Sequence, residues 1–151
     1  MKVALSSDHR GYRAKELIKS FLSAAGNTVT DFGCNSPASC DYPDTAFAGA
    51  KAVAAGECER GIFLCGTGIG MSVSANKVNG IRAALCHDEL TAEMSRRHNN
   101  ANVLCLAADL LGDELLRRVV DVWLRTDYDG GRHDRRLQKI AEFEKNGQCH
   151  D

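Results

Sequence analysis

The chain has 151 residues and a mass of 16.4 kDa, enough for one domain (residues 1–151) and short for two of ordinary size. Its composition, 44% hydrophobic and 26% charged, is that of a globular chain and excludes disorder. A net charge of −1 lacks the cationic excess of a general nucleic-acid binder, and no apolar run approaches the roughly 20 residues of a membrane helix.

Residues 2 to 6, KVALS, read as a first strand; the apolar stretch is too short for a signal peptide. Residues 11 to 25 follow as a helix with Leu17, Ile18, Phe21, Leu22 and Ala25 on one face, stopped by Gly26. A second strand over 28 to 32 leads into a loop containing Gly33, Pro37 and Pro43. An Ala-rich helix is predicted over 45 to 55. Residues 61 to 65, GIFLC, are the most continuous strand. The turn GTGIG then opens a helix expected to end near Asn79 and Gly80. Strand four covers 81 to 86. The helix over 88 to 98 has acids in its first turn and bases in its last, matching the macrodipole. Strand five covers 102 to 107. The next helix, 112 to 125, buries Leu115, Leu116, Val119, Val120 and Trp123. A Gly130-Gly131 break precedes a last helix, from Arg132 to about Lys145, free to pack on a partner subunit.

Strands alternating with helices at this spacing predict right-handed βαβ units. The fold is therefore a three-layer α/β/α Rossmann-like one, with a five-stranded parallel sheet. The seven cysteines, 34, 40, 58, 65, 86, 105 and 149, are odd in number and show no CxxC spacing. They read as reduced thiols of a cytoplasmic protein rather than a disulfide framework or a zinc site.

Open parallel sheets bind ligands at the carboxyl ends of their strands. Asp8-His9, Cys65 to Gly70, His87-Asp88 and Asp109 fall there. The strongest local signal is Cys65-Gly66-Thr67-Gly68-Ile69-Gly70. Glycines at alternate positions let a backbone approach a ligand, and their N–H groups suit an anion or a developing oxyanion. A cysteine at this position can act as base or nucleophile. The structural alternative is a buried Cys closing a strand before a tight turn. The spacing G-x-G-x-G is neither a Walker A loop nor a dinucleotide fingerprint. Arg132 and Arg136, at i and i+4, share a helix face that suits a phosphate. His98 reads alone as a helix-end residue, His87 and His133 as surface residues, and Trp123 and Tyr128 as packing residues.

Together the segments SSDHRGYRAK, DYP at 41 to 43, CGTGIGMSVSANKVNGIRAALC at 65 to 86, SRRHNNANVL and GGRHDRRL resemble the ribose-5-phosphate isomerase B family, which includes the galactose-6-phosphate isomerase subunits. The resemblance runs in register over nearly the whole chain. It implies interconversion of D-ribose 5-phosphate and D-ribulose 5-phosphate through an enediolate, with no metal or cofactor. Cys65 is then the base, Thr67 moves hydroxyl protons and His98 helps open the sugar ring. Gly66, Gly68, Ile69 and Gly70 hold the enediolate oxygen through their backbone. Asp8, His9, Tyr42 and Asn99 line the sugar, and His9, Arg132 and Arg136 approach the phosphate. The partner implied is a small sugar phosphate, with a homodimer, or a tetramer, placing sites between chains. Many members carry an Arg just after strand five; this chain has Asp109, which removes a cation and adds an anion. That anion is expected to weaken the phosphate site unless it points away or pairs with Arg132 or Arg136. The alternatives are an isomerase of another sugar phosphate, such as allose 6-phosphate or galactose 6-phosphate, a flavodoxin-like nucleotide-binding module, a thiol-redox protein, and a non-catalytic subunit.

Overall fold

The computed structural model describes residues 1–146, so Cys149 lies outside the described residues. Five strands form one parallel sheet: β1 (Lys2–Ser7), β2 (Thr28–Asp31), β3 (Arg60–Cys65), β4 (Ala83–Leu85) and β5 (Val103–Ala107), in the order β2-β1-β3-β5-β4. The predicted architecture is what is observed. β1, β3 and β5 are covered on both faces and are buried along almost their whole length.

Six helices cover the sheet: α1 (Tyr12–Ala24), α2 (Tyr42–Ala54), α3 (Ile69–Ala75), α4 (Glu89–Asn99), α5 (Asp113–Arg125) and α6 (Asp134–Asn146). On one face Ile18 and Leu22 of α1, Ala92 of α4 and Leu116, Val119, Val120 and Trp123 of α5 form one core cluster. On the other, Ala46, Ala50 and Val53 of α2 pack with Met71 and Ala75 of α3. Small residues let α2 lie close to the sheet: a Cβ on Gly49 would stand 2.8 Å from the Phe63 ring.

Some element bounds differ from expectation. α2 begins at Tyr42 because Pro43, placed in the loop by the sequence, sits in the first helical turn, where its missing N–H costs nothing. α3 ends at Ala75 rather than near Asn79. The Asn76 side chain donates to the Ala83 carbonyl (2.9 Å) and accepts from its N–H (2.9 Å), drawing the chain into β4. A 3-10 turn over Gly131–His133 precedes α6.

One buried charge ties α1 to the sheet edge. Lys15 is fully buried, and its Nζ donates to both Asp31 oxygens (2.9 and 2.7 Å), while Lys19 adds a third contact (2.8 Å). Burial alone would raise the Asp31 pKa. The hydrogen bonds from Lys15 and Lys19 outweigh it and hold the carboxyl below its ordinary value.

The all-thiol expectation is corrected: Cys34 and Cys40 are joined by a disulfide. The loop between β2 and α2 is anchored at both ends against β1 and the turn that follows it. The Cys34 N–H donates to the Ser7 carbonyl (3.0 Å), and the Cys40 backbone meets His9. Cys58, Cys65, Cys86 and Cys105 are free and buried. No helix among the described residues is long and apolar enough to cross a membrane.

Candidate active site

α1, which follows β1, and α3, which follows β3, lie on opposite faces of the sheet, so a crevice opens between the carboxyl ends of these adjacent strands. A cavity of about 170 Å³ lies there, lined by Asp8, Arg10, Tyr42, Cys65, Gly66, Thr67 and Gly70. Five of the sequence-selected residues thus meet as expected around Cys65. Arg10 was not selected, because a lone Arg in a loop after a strand carries no local signal.

Cys65 is the last residue of β3 and is 4% exposed; its Sγ accepts from the Gly68 N–H (3.1 Å). Gly68 has φ +75°, and a Cβ there would stand 2.9 Å from the backbone of Leu106, so only glycine fits. A Cβ on Gly70 would meet the Tyr42 ring at 2.8 Å. Thr67 and Ile69 are exposed at the rim, and the Ile69 N–H donates to Thr67 Oγ1 (3.4 Å). Asp8 is buried and accepts from the Gly11 N–H (2.9 Å). His9 Nδ1 either accepts from the Cys40 N–H (3.3 Å) or donates to the Cys40 carbonyl (3.2 Å), according to its tautomer. Burial pushes the Cys86 and Cys105 thiols up, which makes them poor nucleophiles.

Asp109 does not pair with Arg132 or Arg136; it forms an ion pair with Arg10. The pair lies over Gly66, where a Cβ would stand 2.6 Å from Asp109 Oδ2 and 2.8 Å from Arg10 Nε.

His98, Asn99, Arg132 and Arg136 lie elsewhere. α4 leaves the carboxyl end of β4 and returns to the amino end of β5, so its last turn, with His98 and Asn99, lies at the amino edge of the sheet. The segment before α6 joins it there, since the Asp129 N–H donates to the Arg97 carbonyl (3.0 Å). β5 alone, five residues at about 3.3 Å each, separates the two edges by roughly 15 Å. One chain therefore does not bring His98 to Cys65.

At the amino edge His98 stacks on His133, with ring centroids 4.5 Å apart and planes 12° apart. His133 is buried, which corrects its reading as a surface residue: the turn Gly131–His133 folds it under α4. Burial first, then His98, Arg132 and Arg136, hold its pKa below the ordinary histidine value. Its Nδ1 contacts Arg136 Nη1 (3.4 Å). Atoms of His98, Asp129 and His133 lie within 4.8 Å of one another. Both Asp129 oxygens accept from Arg97 Nε (3.2 and 3.1 Å). Arg132 and Arg136 are exposed.

The thiol and its glycine-rich loop stand at the switch point of a doubly wound sheet, where such folds bind small molecules. The chain belongs to the Ribose/Galactose Isomerase family, whose sequence model matches residues 3–140. It is 43% identical to ribose-5-phosphate isomerase B of Escherichia coli (strain K12), with 95% of this chain and 97% of that protein covered. It is 41% identical to D-erythrulose-4-phosphate isomerase of Pectobacterium atrosepticum, over 95% of each chain. The structure of ribose-5-phosphate isomerase B from Clostridium thermocellum superposes with a TM-score of 0.96, at 49% identity, over 97% of this chain and 99% of that one.

Proposed function

We infer that the protein is an aldose–ketose isomerase interconverting D-ribose 5-phosphate and D-ribulose 5-phosphate. The observation that carries this reading is Cys65, seated at the cavity with the Gly68 N–H on its sulfur and Asp8, Tyr42 and Thr67 around it. In this reading the thiolate of Cys65 takes the proton from C2 of the open-chain aldose. The electron pair passes into an enediolate, whose oxygen rests on the backbone N–H groups of Gly66 to Gly70. The proton returns to C1, and Thr67 moves the hydroxyl proton between the two oxygens. Asp8, His9, Tyr42 and Asn99 hold the sugar. A positioned base and preorganised donors are what enolisation needs.

A second copy of the chain completes the site. A cavity of 170 Å³ is smaller than the roughly 300–1,000 Å³ of an ordinary ligand pocket. The missing groups, His98, Asn99, Arg132 and Arg136, are on the far edge of the same chain. None of the residues of α6 is buried; Ile140 and Phe143 are exposed beside an apolar cavity of about 470 Å³. A second copy seated on this apolar surface would bury it. The whole chain, 1–151, acts as one domain in this dimer, or in a tetramer built from it.

The reading is tested by assaying ribose 5-phosphate with wild type and Cys65→Ala. Loss of the base should lower kcat by about 10²- to 10⁴-fold; wild-type kcat in the variant would refute the mechanism. A second substrate reading, another sugar phosphate, is favoured by the relative named for a four-carbon sugar phosphate. A panel with tetrose, allose and galactose phosphates separates the two by kcat/KM.

A further inference from the structure

The loops after β1, β3 and β5 lie side by side and carry Arg10, Gly66 and Asp109 respectively. Asp109 is fixed from two directions. Its N–H donates to the Gly66 carbonyl (3.0 Å), and the neighbouring Ala108 N–H donates to the Cys65 carbonyl (2.9 Å). Its carboxylate is therefore held at the rim of the catalytic loop, and there it takes Arg10 Nη2. The ion pair straps the β1 loop to the β5 loop across the Cα of Gly66. No side chain other than hydrogen could stand at Gly66 without moving it.

Arg10 is the only cation among the seven residues that line the cavity. Its side chain is 62% exposed, and among the described residues only Nη2 has a partner. A guanidinium has five N–H donors in one plane, more than one carboxylate accepts, so donors remain for a second anion. A carboxylate on one side of the guanidinium orients the fork without neutralising its other donors. Asp109 is thus not a bare anion facing the substrate, and its charge is spent on Arg10.

We propose that Arg10 binds the phosphate of the sugar substrate and sets the site's preference for phosphorylated sugars, with Asp109 as the positioning residue that aims it. This rests on the isomerase reading above.

The test compares wild type, Arg10→Met, Arg10→Lys and the double variant Arg10→Met/Asp109→Asn. Ribose 5-phosphate is the substrate and inorganic phosphate the competitive inhibitor. Methionine keeps the apolar stem of an exposed side chain, and melting temperatures establish that each variant is folded. Arg10→Met should raise KM and the phosphate inhibition constant tenfold or more, with the loss falling on KM, because phosphate is bound alike in ground and transition states. Lysine should recover part of the loss through its charge. The double variant should recover part as well, since it removes the carboxylate that Arg10→Met leaves unpaired. A KM and an inhibition constant unchanged in Arg10→Met, or a loss confined to kcat, overturns the proposal. Wild type that turns over no sugar phosphate refutes the isomerase reading instead. Protection from thermal unfolding by inorganic phosphate then decides for Arg10: present in wild type and lost in Arg10→Met supports it, and equal in both overturns it.

Discussion

Each glycine of the Cys65 loop answers to a different neighbour. Gly66 lies under the Arg10–Asp109 pair, Gly68 against the β5 backbone and Gly70 against the Tyr42 ring. Their alternation is legible in the sequence; what each makes room for is not, because the three neighbours come from three distant segments. The same holds for His133, whose burial depends on a turn that folds it against His98. Its folded pKa lies below the ordinary value of about 6.5. Above that pH neither folded nor unfolded chain binds the proton, and the contribution to stability is complete. As the pH falls below about 6.5 the unfolded chain takes up the proton first, so stability falls. His133→Asn should therefore show a flatter dependence of melting temperature on pH between about 7 and 5 than wild type. Parallel curves would show that His133 is not the group responsible.

At the scale of elements, the link between α1 and β2 is electrostatic as well as apolar. Lys15 stands on the inner face of α1 beside Ile18 and Leu22, and it is tolerated there because Asp31 ends β2 within reach of its Nζ. Asp31→Asn leaves a buried ammonium without its carboxylate. Such a loss typically costs about 3–5 kcal/mol, read as a lower urea midpoint with an unchanged slope. A shift under 1 kcal/mol would mean that Glu16, 3.1 Å from Lys15, suffices alone. Because the Asp31 pKa is lowered, the pair's contribution persists from neutral pH down to about 4 and is lost as the pH falls further, through the folded pKa. The helix pattern of 11 to 25 was legible from Ile18 and Leu22. The burial of Lys15 one turn before them was not, since burial of a charge is decided by a partner in another element.

For the molecule as a whole, the decisive feature is that Cys65 and His98 lie at opposite edges of one sheet. If two copies join these edges, two inactive variants should complement. In a two-fold dimer, Cys65→Ala mixed with His98→Ala yields mixed dimers with one intact site, so an equal mixture after subunit exchange should regain about a quarter of wild-type activity. Activity that stays at the level of the separate variants would place both residues' functions within one chain.

By itself the sequence determined the alternation of strands and helices, the parallel sheet, and the thiol–glycine loop at a strand's carboxyl end. These follow from periodicity and from turn residues, which act over a few neighbours. Only the tertiary structure decided that Arg10 meets Asp109, that Cys34 meets Cys40, that His133 lies beneath α4 and that His98 is carried away from Cys65. The strand order β2-β1-β3-β5-β4 sets these meetings. It places the loops of β1, β3 and β5 side by side and sends each connecting helix back to the opposite edge. Strand order comes from the packing of the whole chain, and no local pattern of residues encodes it.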